Sequence, residues 1–245
     1  MYNPTSFLRV ALPAALEAGK AILEIYAQPT EGWEIEEKAD HTPLTLADRR
    51  ANDIIMRHLR ATGHPILSEE GPLPDYEERK NWPGLWVVDP LDGTSEFLKR
   101  NDEFTVNIAW VQDGSPVAGV IYLPVTHTLY FGVKGMGAFK VGDVTVAKSE
   151  EELIRAAQRL PIEKQREGFV VVASRSHLSG ETEAYIDQLR KDHPDLSLIS
   201  AGSSMKLCRV AEGSADVYPR FAPTMEWDTA AGDAIVRAAD GEVVD

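Results

Sequence analysis

The sequence predicts an α/β protein with an antiparallel region followed by a parallel or mixed sheet, and two stretches of the chain carry this prediction. Residues 104–146 form a run of apolar segments separated by glycine-containing turns, which is typical of antiparallel strands. Residues 169–244 alternate short apolar strands with helical segments, the pattern of βαβ units in a parallel or mixed sheet. With 245 residues, 43% hydrophobic and 26% charged, the chain is long enough to bury a substantial core.

Two helices are predicted near the start of the chain. Residues 5–28 carry a stripe of leucines, although Pro13 predicts a kink or a later helix start. Residues 45–60 are a cleaner helix, because Thr45 can cap it and apolar residues recur at helical spacing. Asp48 is the third helical residue, where the helix dipole is expected to favour the ionised carboxylate.

The remaining elements fall into two groups. The strands expected in the first group are 66–68, 86–88, 104–111, 117–122, 129–133 and 138–146. The second group contains strands at 169–173, 196–199, 215–218 and 242–244, with helices at 180–191, 203–212 and 226–239. A polar helical stretch over 147–167 separates the groups. We therefore expect an N-terminal α+β subdomain over 1–149 and a C-terminal α/β subdomain over 150–245, sharing a cleft.

Charge and composition exclude several classes of function. The net charge of −14 and the pI of about 4.9 argue against binding to a nucleic acid polymer, which requires a basic surface. Cys208 is the sole cysteine, which excludes an internal disulfide and thiolate clusters, and its apolar neighbours predict a core position. No apolar run approaches the roughly 18 residues of a transmembrane segment, and residues 10–18 do not resemble a signal peptide. We therefore expect a cytoplasmic protein.

Acidic residues follow two of the predicted strands. Strand 66–68 runs into Glu69 and Glu70, and strand 86–88 runs into the hexapeptide Asp89-Pro90-Leu91-Asp92-Gly93-Thr94. Carboxylate and carbonyl oxygens are the ligands that Mg²⁺ prefers, usually with substrate phosphates completing its coordination. A bound cation also explains how so acidic a chain could bind an anionic substrate.

The hexapeptide can form a tight turn. Pro90 fixes its φ angle, and Gly93 permits a positive φ or a close backbone approach. Asp89 and Asp92 would then face one point, with the Leu91 carbonyl turned toward the same ion. An ordinary surface turn is the alternative interpretation, since aspartate and glycine are common turn residues.

These residues, together with Trp227-Asp228-Thr229-Ala230-Ala231-Gly232, resemble the inositol monophosphatase superfamily of Mg²⁺-dependent, Li⁺-sensitive phosphatases. Segments 38–45, 96–100, 174–177, 202–206 and 218–221 are similar to the CysQ-type 3′(2′),5′-bisphosphate nucleotidases. The resemblance implies a layered α/β sandwich. It also implies hydrolysis of the 3′-phosphate of adenosine 3′,5′-bisphosphate to AMP and phosphate, a reaction of sulfur metabolism. The family usually continues with one or two strands beyond the position of Asp245.

The same resemblance implies a metal site. Asp89 would bridge two Mg²⁺ ions, with Glu69 and the Leu91 carbonyl on the first ion and Asp92 and Asp228 on the second. Two ions about 3.5–4 Å apart can stabilise the attacking and the leaving oxygens of a displacement. Taken alone, Asp228 is better explained as an acidic residue in the first turn of a helix, where the helix dipole stabilises it.

The catalytic chemistry follows from the same resemblance. A water activated by the metal and flanked by Glu69 and Thr94 would be the nucleophile. The backbone N–H groups of Gly93 and Thr94 would hold the phosphate oxygens. Further waters, or a third ion, would lie near Asp40 and Thr45.

Five residues of the second subdomain match family positions that contact the nucleotide: Ser174, His177, Gly202, Lys206 and Arg220. Without the resemblance, Lys206 and Arg220 would be interpreted as solvated charges. His177 follows a predicted strand, so a ligand-binding role and an exposed loop position are equally compatible with its place in the sequence.

Three functions remain open at this stage. The first is the nucleotide phosphatase, whose partner is a small nucleotide bisphosphate. The second is an inositol or sugar monophosphatase of the same superfamily, and the third is a non-catalytic sensor that binds the nucleotide. The intact set of carboxylates counts against the sensor. A monomer and a homodimer are both compatible with the sequence.

Overall fold

A computed structural model of the protein describes residues 4–38, 43–144, 148–162, 167–175 and 179–244. A two-stranded antiparallel pair, β1 (Glu36–Glu37) and β2 (Pro43–Leu44), precedes a seven-stranded sheet. In spatial order, which is also chain order, the strands of the large sheet are β3 (Ile66–Ser68), β4 (Gly84–Asp92), β5 (Thr105–Gln112), β6 (Ser115–Leu123), β7 (Thr128–Val133), β8 (Gly137–Val141) and β9 (Gln158–Leu160). All neighbours are antiparallel except β3 and β4, which are parallel.

A smaller parallel sheet consists of β10 (Val170–Ser174) and β11 (Ser197–Ala201). The helices are α1 (Pro4–Tyr26), α2 (Leu46–Arg60), α3 (Tyr76–Arg79), α4 (Thr94–Leu98), α5 (Glu150–Ala156), α6 (Gly180–Asp192), α7 (Met205–Glu212) and α8 (Glu226–Ala238), with a 3₁₀ turn over Thr30–Trp33.

The alternation of side chains along each strand gives the large sheet two buried faces. Ile108 of β5 belongs to the main core, into which the leucines of α1 and the apolar stripe of α2 pack. Its neighbour Ala109 belongs to a second core on the opposite face, beneath α7 and α8. Beyond α7 lie the small sheet and then α6, whose Ile186 packs on Val171. The predicted layered α/β sandwich is therefore confirmed.

Close contact between α8 and the large sheet depends on Gly119 of β6. A Cβ atom at this position would lie 2.2 Å from the Ala231 carbonyl oxygen, so any larger residue would displace α8. The N-terminal turn of α8, which carries Asp228, is positioned by this contact.

Four sequence-based expectations need correction. Helix α1 runs through Pro13 rather than starting after it, because the buried residues on both sides of the proline keep the helix packed on the sheet. The strand expected over 138–146 ends at Val141, before the polar residues Gly142 and Asp143. Residues 215–218 contribute one isolated bridge, between Val217 and Val171. Residues 242–244 are not a strand, and Val244 is largely exposed.

The segment expected to separate two subdomains contains α5 and also β9, which pairs with β8 at the edge of the large sheet. Helix α8 likewise packs on the large sheet from the second half of the chain. The division at residue 149 remains a prediction. Cys208 is buried, as expected. In the described part of the chain, no helix is long and apolar enough to cross a membrane.

Candidate active site

Two parallel strands deliver acidic residues to one edge of the large sheet. Strand β3 ends at Ser68, and the N–H of the next residue, Glu69, donates to the Val88 carbonyl of β4 at 3.1 Å. Because parallel strands end at the same edge, Glu69 lies beside the end of β4, where Asp89 and Asp92 are located.

A β-bulge brings Asp89 and Asp92 to the same face of the sheet. Residues three apart in a regular strand point to opposite faces. Here Asp89 pairs with Asn107 and Asp92 pairs with Thr105, so three steps along β4 match two steps along β5. The extra residue in β4, at Pro90-Leu91, therefore places both aspartates on one face of the sheet.

Asp89 lies at the centre of the acidic group. Its side chain is 1% exposed, and its Oδ1 accepts a hydrogen bond from the Leu91 N–H at 3.1 Å. Burial and the nearby carboxylates of Glu69, Asp92 and Asp228 raise the pKa of Asp89 well above its usual range. A cation would relieve this repulsion, because it supplies the positive charge that a buried carboxylate requires.

Asp92 is oriented by two residues that the sequence did not indicate. Its Oδ2 accepts hydrogen bonds from the Ser204 hydroxyl at 2.6 Å and from the Asn107 amide at 3.2 Å. The Ser204 Oγ also lies 3.0 Å from the backbone carbonyl oxygen of Asp228. Ser204 therefore connects the ends of β4, α7 and α8, and it contacts two of the predicted metal-binding residues.

Asp228 lies in the first turn of α8. Its Oδ2 accepts hydrogen bonds from the Thr224 hydroxyl at 2.6 Å and from the Met225 N–H at 3.1 Å. The carboxylate therefore does stabilise the helix start, as the simpler interpretation expected, and it also lines the same cavity as Asp89.

The turn after β4 presents Thr94 to α2. Gly93 adopts a left-handed conformation, with φ of 94°, immediately before α4. The Thr94 hydroxyl lies 3.1 Å from Asp48 Oδ1 and 3.3 Å from the Leu91 carbonyl oxygen. Asp48 is a third residue without a predicted site role, and its only signal was its place in the first turn of the helix that Thr45 caps.

Asp48 completes a capping box with Thr45, whose N–H donates to Asp48 Oδ2 at 2.7 Å. The expected effect of the helix dipole is outweighed here. Burial raises the pKa of Asp48, and the hydrogen bonds from Thr45 and Thr94 offset only part of that effect.

Lys38 contacts the acidic residues at the end of β3. Its Nζ lies 2.8 Å from Glu69 Oε1 and 2.5 Å from Glu70 Oε1. Burial raises the pKa of Glu70 to about 7 despite this ion pair, with Glu69 and Asp48 adding to the increase. Asp40 and His177, both predicted site residues, lie outside the described residues.

The described substrate-binding residues predicted in the second half of the chain line the same cavity as the acidic residues. Ser174 ends β10, and Gly202 follows β11. Lys206 in α7 is only 5% exposed, and its Nζ donates to the Ser203 carbonyl oxygen at 2.5 Å and lies over the Tyr218 ring. Lys206 is therefore not the solvated charge that its position on a helix alone would suggest. Burial lowers the pKa of its ammonium group.

Arg220 is half-buried beside Lys206. It donates to the Tyr218 hydroxyl at 3.2 Å and to the Pro223 carbonyl at 3.0 Å, and within the described structure its buried Nε has no hydrogen-bond partner. A buried guanidinium N–H of this kind favours an anionic ligand.

One cavity of about 260 Å³ joins these groups. Its lining includes the predicted residues Glu69, Asp89, Leu91, Asp92, Gly93, Thr94, Ser174, Gly202, Lys206, Arg220 and Asp228. Among the described residues, no three His, Cys, Asp or Glu side chains already form a closed metal-binding cluster. The carboxylates and the two cationic side chains instead line one cavity, and the positive charge of Lys206 offsets part of the rise that burial causes in the pKa of Asp92.

Comparison with known proteins agrees with this geometry. Residues 3–245 match the model of the inositol monophosphatase family. The chain belongs to the inositol monophosphatase family. This is a family of metal-dependent phosphatases, so the predicted family and enzyme class are confirmed.

Several members of the inositol monophosphatase family are close relatives. The 3′(2′),5′-bisphosphate nucleotidase CysQ of Escherichia coli K12 is 43% identical over 233 residues, covering 94% of this chain and 87% of that protein. The CysQ of Haemophilus influenzae is 34% identical, covering 97% of this chain and 84% of that protein. The crystal structure of CysQ from Bacteroides thetaiotaomicron is 54% identical with a TM-score of 0.87, covering 96% of this chain and 86% of that one. The crystal structure of SuhB from Bartonella henselae is 29% identical with a TM-score of 0.73, covering 96% of this chain and 85% of that one.

Proposed function

We propose that this protein is a Mg²⁺-dependent 3′(2′),5′-bisphosphate nucleotidase that converts adenosine 3′,5′-bisphosphate to AMP and phosphate. The similarity to CysQ proteins over most of the chain supports this activity. The observation that carries the proposal is the position of Lys206 and Arg220, which line the same cavity as the carboxylates. A bisphosphate nucleotide bound there would place one phosphate beside the acids and the other beside these cations.

Two Mg²⁺ ions would be held by oxygen ligands from β3, β4 and α8. The donors fit this cation, because they are hard carboxylate and carbonyl oxygens and because Asp89 is buried among like charges. The proposed ligands are Glu69, Asp89, the Leu91 carbonyl, Asp92 and Asp228. When bound, such ions lower the pKa of water and stabilise the charge that develops on a phosphate ester.

Thr94 would orient the attacking water. Its hydroxyl has one proton, and Asp48 Oδ1 at 3.1 Å is an acceptor for it. A hydroxyl that donates to a carboxylate presents its lone pairs elsewhere, so Thr94 can accept a hydrogen bond from water. Glu69, which lines the same cavity, is the second residue proposed to hold that water or to take its proton.

The backbone of the turn would hold the phosphate being transferred. The first N–H groups of a helix have no intrahelical acceptors, and Gly93 aims the start of α4 into the cavity. We assign the N–H groups of Gly93 and Thr94 to the phosphate oxygens. Any phosphate monoester could use these contacts, so they do not select the substrate.

Selectivity would come from the second half of the chain. Lys206 and Arg220 are proposed to bind the 5′-phosphate, and Ser174, Gly202 and His177 the nucleoside. The Arg220 Nε supports this assignment, because a buried N–H without an acceptor is costly unless a ligand satisfies it. A charge-assisted contact to a second phosphate contributes about 1.5–3 kcal/mol of binding free energy.

An inositol or sugar monophosphatase remains the second candidate, because the matching family is named for inositol monophosphatase. Such a substrate lacks a second phosphate or carries it elsewhere, and would leave Lys206 and Arg220 without a phosphate to bind. A non-catalytic sensor would not need the Thr94–Asp48 contact.

A phosphate-release panel tests the proposal. The substrates are adenosine 3′,5′-bisphosphate, its sulfated relative 3′-phosphoadenosine 5′-phosphosulfate, inositol 1-phosphate and fructose 1,6-bisphosphate, each with Mg²⁺ and with EDTA. We expect the highest kcat/KM on a nucleotide and no release in EDTA. A clear preference for inositol 1-phosphate would support the second candidate, and nucleotide binding without turnover would support the sensor.

A further inference from the structure

Glu103 makes a set of contacts across the cleft that none of the proposed catalytic or binding roles requires. It lies just before β5, and its carboxylate forms a two-bond pair with the guanidinium of Arg175. Arg175 Nε donates to Glu103 Oε2 at 2.8 Å, and a terminal nitrogen of Arg175 donates to Glu103 Oε1 at 2.7 Å. The N–H of Gly202 donates to Oε2 at 2.8 Å. Arg175 directly follows β10 and Gly202 directly follows β11, so one side chain joins the ends of both strands of the small sheet to the large one.

The backbone of Glu103 is equally confined. A Cβ atom on Gly202 would lie 2.9 Å from the Glu103 carbonyl oxygen and 3.0 Å from Glu103 Cβ. A Cβ atom on Gly93 would lie 3.1 Å from the same carbonyl oxygen. Residue 103 therefore fills the space between the turn proposed to hold the transferred phosphate and the turn proposed to contact the nucleoside.

We propose that Glu103 is a positioning residue for nucleotide recognition. By fixing Arg175 and Gly202, it sets the distance between the phosphate turn at Gly93 and the nucleoside-binding ends of β10 and β11. This inference rests on the proposed nucleotidase activity. It predicts an effect on nucleotide affinity, because Gly202 is proposed to contact the nucleoside and Arg175 directly follows Ser174, which is proposed to do the same. Thr94 and the acidic residues are held by other contacts.

Glu103 is not an additional ligand of the cations. Both of its oxygens are engaged by Arg175 and Gly202, and a bidentate carboxylate–guanidinium pair already supplies the opposite charge. The contacts of Asp92 come from a different set of residues, Ser204 and Asn107. Loss of Glu103 should therefore leave the acidic site intact.

The test compares Glu103→Gln and Arg175→Lys with the wild-type enzyme. Glutamine keeps the size of the side chain but cannot accept both guanidinium bonds, and lysine keeps the charge but not the paired geometry. We expect KM for adenosine 3′,5′-bisphosphate and the Kd of AMP, measured by titration calorimetry, to rise about 5- to 20-fold, with the lower end favoured by the exposure of Arg175. We expect kcat to stay within about twofold.

Asp187→Asn is the matched control, because Asp187 forms an exposed ion pair with Arg190 on α6, remote from the cleft. Unchanged KM and Kd in both cleft variants would overturn the inference, as would a loss confined to kcat. If one variant fails to fold by circular dichroism, the other decides the result. A wild-type enzyme that releases no phosphate from the nucleotide would instead refute the proposed function itself, which separates the two failures.

Discussion

Asp89→Asn should separate the catalytic role of Asp89 from its effect on stability. Asparagine keeps the shape of the side chain and an oxygen for the Leu91 N–H, but it removes a negative charge that is buried beside three other carboxylates. In EDTA, the variant should therefore be at least as stable as the wild type. With Mg²⁺ it should lose turnover, because Asp89 is the residue proposed to bind both cations.

The magnitude follows from linkage. A cation at about 100 times its Kd stabilises the native state by about 2.7 kcal/mol, which is roughly 5–10 °C in Tm for a chain of this size. We expect this shift in the wild type and little or none in Asp89→Asn. The assays are thermal unfolding with Mg²⁺ or EDTA and phosphate release at saturating Mg²⁺, with Asp187→Asn as control. A variant that keeps more than a tenth of the wild-type rate, or the full Mg²⁺ shift in Tm, would refute the bridging role.

Four further predictions follow from the site. Lys206→Ala and Arg220→Ala should each lower kcat/KM for adenosine 3′,5′-bisphosphate by about 10- to 150-fold, and equal losses on inositol 1-phosphate would argue against their selectivity role. Thr94→Val should lower kcat by about 10²- to 10⁴-fold, whereas Thr94→Ser, which keeps the hydroxyl, should retain most activity in the same steady-state assay. Ser204→Ala should weaken Mg²⁺ binding by about 10- to 100-fold in titration calorimetry, and an unchanged affinity would show that its contacts with Asp92 are dispensable. Because the folded-state pKa of Glu70 is raised to about 7, its contribution to stability is present at low pH and is lost as pH rises through about 7. Urea unfolding in EDTA at pH 5.5 and 7.5 should therefore show a smaller difference in the free energy of unfolding between the two pH values in Glu70→Gln than in the wild type.

The sequence predicted the parts of the site that are local. The acidic residues after β3 and β4 and the tight turn at Gly93 are written in short contiguous segments, and the structure brings those described residues to one cavity. The helix beginning after Thr45 and the antiparallel strands after residue 104 were likewise predicted, since both depend on periodicity and turns.

The supporting contacts could not be predicted, because they join residues distant in the chain. Ser204 is 112 residues from Asp92 and 97 from Asn107. Asn107 gave one signal, an amide in the middle of an apolar strand, but no rule assigns such a residue a partner. The prediction of strands at 215–218 and 242–244 was wrong for a related reason. A short apolar run does not determine whether a neighbouring strand is available for pairing.

Identification of the reaction products shows which phosphate of the nucleotide the protein removes. Adenosine 3′,5′-bisphosphate carries two phosphates, and the proposed geometry places the 3′-phosphate at the acidic end of the cavity and the 5′-phosphate at Lys206 and Arg220. Chromatography of a Mg²⁺-containing reaction against authentic standards should show AMP and inorganic phosphate in equal amounts, with no turnover in EDTA. Formation of adenosine 3′-phosphate would refute the proposed placement of the two phosphates. Release of phosphate without Mg²⁺ or another divalent cation would refute the proposed role of the metal.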